Sequence, residues 1–226
     1  MIQSIQLRRK FNRLNEKKLM TELEIEEKIK SEEKIDLNYI KQVMLERRIE
    51  AEITEGFPNA KTIKNAYIPK ASGGYSEIDL IALTEKGIFI IESKNLTGKI
   101  TGSWKDENIF VEHPGGQTFT LMNPIDQNTR HFQALKNILG FKNDYFRNIV
   151  VFGDNSYISD YRDIPFFARI CKVDQLIKTM NHLADKFNVE LAQHQIENIY
   201  ETLIEFVKKT DEKEREHIKN IQEFVE

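Results

Sequence analysis

The stretch of residues 74–95 constrains the fold of this chain more than any other part of the sequence. It contains two apolar runs, 78–83 and 88–91, separated by the short polar segment 84–87, which ends in glycine. Short isoleucine-rich runs of this kind, joined by a turn, are typical of two strands buried in a sheet. The sequence therefore predicts a buried β-hairpin at the centre of the fold.

Three charged side chains, those of Asp79, Glu92 and Lys94, interrupt this apolar hairpin. A charge in a buried strand is costly unless it is paired. Glu92 and Lys94 are two residues apart, so in a strand both would point to one face, and Asp79 would join them from the partner strand. Two carboxylates so close would repel each other, whereas a bound divalent cation would favour both ionised forms. We therefore predict a metal site on hard oxygen ligands for Mg²⁺ or Mn²⁺, with Lys94 beside an attacking water or a phosphate.

The same residues resemble a known signature. Asp79, followed by Glu92-Ser93-Lys94, is similar to the D…(D/E)xK signature of the PD-(D/E)xK phosphodiesterase superfamily. More closely, the runs EID at 77–79, KGIFIIESKN at 86–95 and NPIDQ at 123–127 resemble the nuclease-related domain family, NERD. The resemblance extends over residues 40–152, about half of the chain.

This resemblance implies an α/β fold in which a central mixed β-sheet is flanked by helices, as in restriction-endonuclease-like proteins. It implies a metal-dependent nuclease, an Mg²⁺- or Mn²⁺-dependent deoxyribonuclease-like phosphodiesterase, with DNA as the expected substrate and RNA left open. In such an enzyme Asp79 and Glu92 would hold the metal, and the carbonyl of Ser93 would complete its shell.

The resemblance also points to an acid on the helix that precedes the first strand, where related families place a further metal ligand. Glu46 is the candidate, because Ile49 and Ile53 follow it at the spacing of the family pattern. Leu45 stands where the family usually has glycine, and Glu50, one helical turn later, is the alternative.

A helix predicted over 125–139 follows the strands. By resemblance, Gln127 on this helix would orient the site or touch substrate, and Arg130 or His131 would contact a phosphate. Lys70, next to the first strand, is a further cation that would line the path of a phosphate backbone.

The remaining pattern predicts three parts: a charged helical extension at 1–38, a NERD-like nuclease core at 39–172, and C-terminal helices at 173–226. Outside the hairpin, strands are predicted over 62–68, 148–152 and 166–170 and within 97–111, helices over 37–53, 173–182 and 193–208, and a loop over 153–163. The terminal helices are expected to mediate self-association or contact with a protein partner.

Composition limits the classes of function. The net charge is −3, so a nucleic-acid site would depend on local positive patches. The single cysteine, Cys171, excludes an internal disulfide and is expected to be buried in a protein of the cytoplasm. No apolar run is long enough to span a bilayer. Two alternatives to the nuclease remain open: a non-catalytic nucleic-acid-binding or regulatory module that keeps the fold, and a hydrolase of another phosphoester.

Overall fold

The computed structural model describes residues 37–70 and 75–207. In chain order the elements are α1 (Leu37–Gly56), β1 (Lys61–Pro69), β2 (Tyr75–Thr84), β3 (Gly87–Lys94), β4 (Gly98–Ser103), β5 (Asn108–Glu112), β6 (Thr118–Met122), α2 (Pro124–Leu139), β7 (Phe146–Phe152), β8 (Ser156–Arg162), β9 (Ala168–Lys172), α3 (Leu176–Ala184) and α4 (193–207). From Gln42 onwards the described residues belong to one compact unit. Most of the predicted N-terminal extension and residues 208–226 of the predicted C-terminal helices lie outside the described residues, and the predicted partner contact of the terminal helices stays a prediction.

The first sheet contains the predicted hairpin and is mixed, as the sequence indicates. Its strand order is β1-β2-β3-β7-β9. The strands β1, β2 and β3 pair antiparallel, whereas β3, β7 and β9 run parallel. The last of these strands begins two residues later than predicted, at Ala168. The carboxyl ends of β3, β7 and β9 therefore meet at one edge of the sheet.

Helices cover both faces of this sheet, which confirms the α/β class with flanking helices. One face packs against α1 and α3, through Ile49, Ile53, Leu176 and Met180 on the helices and Ala82, Phe89, Ile91 and Val151 on the strands. The other face packs against α2 and α4, through Ala134, Leu135, Ile196, Ile199 and Leu203 on the helices and Ile81, Leu83, Ile88 and Ile90 on the strands. Because every strand residue from 88 to 93 is buried, neither face of β3 is exposed to solvent over that range.

A second sheet, with strand order β6-β5-β4-β8, was not expected as a separate layer. Its strand β8 falls in the segment predicted as a loop, and that prediction was wrong. The sequence of β8 is polar because one face and one edge of this strand are exposed, and Ser156 is its one buried residue. The second sheet packs through Ile100, Ile109 and Val111 against Ile125 and Val150.

The start of α2 explains the physical role of the Asn-Pro pair in NPIDQ. The side chain of Asn123 accepts a hydrogen bond from the Ile125 N–H at 3.1 Å, and Pro124 occupies the first helical turn, where its missing N–H costs nothing. Asn123 Nδ2 also donates to the carbonyl of Ser103 at 2.9 Å, which ties the helix to the second sheet. At the other end, Gly140 adopts a left-handed conformation with φ 68° and ends the helix as predicted.

Two further expectations concern burial and membranes. Cys171 is buried, as predicted, and burial raises the pKa of its thiol to about 12. Across residues 37–70 and 75–207, no helix combines the length and the apolar character that crossing a membrane requires.

Candidate active site

Asp79 lies at an irregularity in β2, where the side chains no longer alternate regularly between the two faces of the sheet. Ile78 packs toward α2, and Leu80 packs toward α1, although residues two apart in a regular strand share a face. Opposite Asp79, between the register pairs of β1 and β2, Asn65 adopts φ 49°. Counted from the turn, the pairing of β2 with β3 ends at Leu80 and Ile91, so the two strands have separated where Asp79 lies.

The Asp79 carboxylate fills the opening between these strands. Its Oδ2 accepts hydrogen bonds from the Ser93 backbone N–H at 2.9 Å and from Ser93 Oγ at 3.0 Å. The side chain thus replaces the ladder bond that the separating strands no longer make. Ile88 and Ile90 face α2, whereas Phe89 and Ile91 face α1. The same alternation puts the side chains of Glu92 and Lys94 toward α2 and that of Ser93 toward α1. Asp79 lies at the boundary between the two groups.

Glu92, which is buried, and Lys94, which is partly buried, form an ion pair at the end of β3. Glu92 is 1% exposed, and Lys94 Nζ lies 2.5 Å from its Oε1. Lys94 Nζ also donates to Gln127 Oε1 at 3.3 Å. The structure therefore brings together Glu92, Lys94 and Gln127, three residues that the sequence analysis selected from two separate elements.

His131 lies behind Glu92 rather than at the surface. The His131 side chain is buried, and its Nδ1 is 2.7 Å from Ser76 Oγ. Its Nε2 lies 3.4 Å from Glu92 Oε2, and neither of these two atoms has a hydrogen-bond partner within the described part of the chain. The ring is thus enclosed between β2 and β3, in a position suited to orient Glu92 and not to meet a phosphate from solvent.

On the α1 side, Gln42 connects the helix to the end of β3. Gln42 Nε2 donates to Glu46 Oε1 at 2.8 Å and to Ser93 Oγ at 2.7 Å, and the backbone N–H of Asn95 donates to Gln42 Oε1 at 3.2 Å. The sequence analysis missed this residue. Its spacing of four from Glu46, which puts both side chains on one helical face, is the signal that would have found it.

The two acids considered on α1 have different surroundings. Glu46 belongs to the Gln42 network, whereas Glu50 accepts hydrogen bonds from Thr62 Oγ1 at 2.9 Å and Lys64 Nζ at 2.7 Å on β1. Of the two, Glu46 is the one whose charge acts on Asp79.

The three acids influence each other electrostatically. Burial, followed by the negative charge of Glu92, raises the pKa of Asp79 to about 6, and hydrogen bonding from the Ser93 backbone and the charge of Lys94 oppose that rise. Burial also raises the pKa of Glu46, against a hydrogen bond from Gln42. A nearby cation would lower the pKa of these carboxyl groups and so stabilise their ionised forms at neutral pH.

The donor set fits a divalent cation in type. Within residues 37–70 and 75–207, no three Asp, Glu, His or Cys side chains are arranged as a ready-made metal site. Mg²⁺ does not need one, since it binds through one or two carboxylates and takes its other ligands from water and substrate phosphate. Glu92 Oε2, buried and without a hydrogen bond, is the free acceptor that such an ion would use.

The other two predicted contacts lie outside this cluster. Arg130 is exposed and pairs with Asp126 at 2.5 Å, one turn earlier on α2. Lys70 is exposed at the end of β1. In the described residues, no recorded hydrogen bond or ion pair joins either cation to Glu92 or Asp79.

Comparison with known proteins agrees with this architecture. The family model of the nuclease-related domain matches residues 41–153, half of the chain. The matched segment contains Gln42 and His131, and every residue of the cluster between them in sequence. No curated protein and no solved structure matches the chain. With two sheets flanked by helices and a family match over half of its length, the chain belongs to the nuclease-related domain family.

Proposed function

We propose that this protein is a metal-dependent nuclease that hydrolyses phosphodiester bonds in DNA. The observation that carries the proposal is the buried pair of Glu92 and Lys94 beside Asp79. A buried ion pair seldom stabilises a fold more than apolar residues of the same volume would. Charged groups in such positions beside an acid whose pKa is shifted, here Asp79, are typical of functional sites.

Asp79 and Glu92 would hold Mg²⁺ or Mn²⁺, with Glu46 and the carbonyl of Ser93 as further ligands. The metal, when bound, would supply charge stabilisation for the phosphate and acidify a water molecule. Hydrogen bonds from Ser93 and Gln42 already orient Asp79 and Glu46, so these two side chains would lose little conformational entropy when metal and substrate bind.

Lys94 would act on the reacting groups directly. Its ammonium is held between Glu92 Oε1 and Gln127 Oε1, and the Lys94 side chain as a whole is 19% exposed, so a ligand would reach it from solvent. From there it would orient the attacking water and neutralise charge that develops on the phosphate. Gln127 would keep the ammonium in place.

The exposed cations Arg130 and Lys70 are proposed to contact the phosphate backbone away from the reacting bond. RNA remains a second possible substrate. The single cysteine and its burial support a cytoplasmic location.

A non-catalytic nucleic-acid-binding module is the second candidate, and one observation favours it. Glu92 Oε1 is taken by Lys94, and Asp79 Oδ2 is taken by Ser93, so both acids already have partners without a metal. A protein that bound nucleic acid without cutting it would need nothing more.

A cleavage assay separates the two candidates. Linear, circular and single-stranded DNA would be incubated with Mg²⁺ or Mn²⁺, with EDTA as the blank, and Lys94→Met would be compared with the native chain. Lys99→Met is the matched control, because Lys99 is an exposed lysine on β4 whose contact with Glu112 is at 4.0 Å. We expect cutting that requires metal, that K94M abolishes and that K99M retains. Binding without cutting under every condition would reject the nuclease in favour of the binding module.

A further inference from the structure

A cavity lies at the start of β7, at the opposite end of that strand from the carboxyl edge where the candidate active site is found. It exists because β9 begins opposite Asn148, so the first two residues of β7 pair with β3 on one side and have no strand on the other side. Its volume is about 150 Å³. Five phenylalanines and one arginine form most of its wall: Phe132, Phe146, Phe166, Phe167, Phe187 and Arg147.

Arg147 is the unusual part of this wall. It is 1% exposed, and its Nη1 donates to the carbonyl oxygens of Asp144 and Phe146, while the Phe187 ring centroid lies 3.7 Å from the guanidinium carbon. Nε and Nη2 have no hydrogen-bond partner among the described residues. Burial lowers the pKa of Arg147 to about 10, and the charge of Asp144 opposes this, so the side chain is still a cation at neutral pH.

A buried cation with unused donors costs folding free energy unless a ligand uses them. Nε and Nη2 share one edge of the guanidinium plane, the arrangement that binds the two oxygens of a carboxylate. An apolar cavity of about 150 Å³ accepts a body the size of benzene. The wall thus combines one cationic donor pair with a mostly aromatic interior, and its other polar members are the exposed Asn143 and Asp144 and the buried Asn148.

We propose that this cavity binds a small molecule that carries a carboxylate on an aromatic or similarly apolar body. The body would fill the space between the phenylalanines, and the carboxylate would pair with Arg147. Phe187 follows α3 and is partly exposed, and its ring would swing off the guanidinium to admit the carboxylate to Nε and Nη2. The site is independent of the nuclease proposal, because it shares no residue with the candidate active site.

Benzoate and benzyl alcohol are suitable probes, because they match in size and differ in charge. Binding of both to the full chain would be measured by calorimetry in metal-free buffer, with the native protein, Arg147→Met and Glu92→Gln. We expect benzoate to bind at least tenfold more tightly than benzyl alcohol to the native chain and to Glu92→Gln. In Arg147→Met this preference should disappear. Equal affinity for the two probes, or no binding of either, would overturn the proposal.

A second measurement keeps the test valid if Arg147→Met does not fold. In the native protein, the ¹H–¹⁵N resonance of the Arg147 side-chain Nε should shift on addition of benzoate and stay in place with benzyl alcohol. An unchanged chemical shift of that resonance at saturating benzoate would show that the guanidinium contributes only to packing, and it would overturn the assignment. Tighter benzoate binding in Glu92→Gln, which leaves Lys94 without its acid partner, would place the anion at Lys94 and overturn the assignment as well.

Discussion

At the scale of single residues, Asp79 is held in the site at a cost to folding. Its pKa is about 6 in the native chain and would be about 4 in the unfolded chain. Between these two pH values the native state binds more protons than the unfolded state. The contribution of protonated Asp79 to the free energy of unfolding is therefore fully present below pH 4 and is lost as the pH rises through 6. Asp79 is therefore an acid that weakens the fold when it is ionised.

The first prediction follows from this sign. In EDTA at pH 7.5, Asp79→Asn should be more stable than the native chain by on the order of 1–3 kcal/mol, because the amide carries no buried charge and still accepts from Ser93. Urea unfolding at pH 7.5 and pH 4.5 measures the difference, which should shrink at the lower pH. A variant that is less stable at both values would show that the carboxylate stabilises the fold.

The second prediction concerns His131. Because its ring is buried against Glu92 and Ser76, His131→Gln should lower the cleavage rate at least about tenfold, as loss of a residue that orients a metal ligand typically does, with little change in KM for DNA. Arg130→Ala, next to it on the surface, should do the reverse and raise KM. Steady-state cleavage kinetics of the two variants decide the matter. A large rise in KM for His131→Gln would return His131 to the role of a phosphate contact.

At the scale of elements, α2 is fixed to the first sheet by a buried pair of asparagines. Asn128 Nδ2 donates to the carbonyl of Ile90 at 2.8 Å and to Asn148 Oδ1 at 2.7 Å, and Asn148 Nδ2 donates to the carbonyl of Ile125 at 3.2 Å. These bonds set the position of the helix that carries Gln127. Hydrogen bonds in a buried polar network favour one arrangement of the elements they join, although Asn128 Oδ1 has no hydrogen-bond partner among the described residues.

The third prediction tests this connection. Asn128→Ala should destabilise the protein by about 2–4 kcal/mol, because it leaves a cavity and removes partners from buried groups. Asn137→Ala, on an exposed position of the same helix, should change stability by less than about 0.5 kcal/mol. Urea unfolding of both variants provides the comparison. Equal effects would mean that apolar packing alone positions α2.

Elements with a strong local pattern were predictable from sequence, and those that depend on distant contacts were not. The hairpin of β2 and β3 and the cap at Asn123 follow from residues near in sequence. The strand β8 was missed because a half-exposed edge strand has no apolar run. The spacing of four from Glu46 puts Gln42 on the same helical face, but its hydrogen bonds to Ser93 and Asn95 exist only after α1 packs on β3. The offset in β2 at Asp79 is likewise set by pairing with β1, and the pattern of apolar residues around Asp79 does not indicate it.

At the scale of the whole molecule, the candidate ligands come from elements that are distant in the chain. Glu46 lies on α1, Asp79 on β2 and Glu92 on β3, and the electrostatic influence among them exists only when these elements are packed together. An unfolded chain would hold the same acids far apart and in water. Binding of a divalent cation, as proposed for this site, would therefore be coupled to folding.

The final prediction uses this coupling without relying on catalysis. At a concentration of 100 times its dissociation constant, Mn²⁺ should raise the free energy of unfolding by about 2.7 kcal/mol, by mass action on the native state. Glu92→Gln should lose most of this increase, because it removes the charge from the acid with the free buried oxygen. Glu50→Gln is the matched control: Glu50 is bonded to β1, so its substitution changes the baseline stability and leaves the increment intact. Thermal or urea unfolding with and without Mn²⁺ gives both numbers. An equal increment in Glu92→Gln would place the cation elsewhere and remove Glu92 from the ligand set.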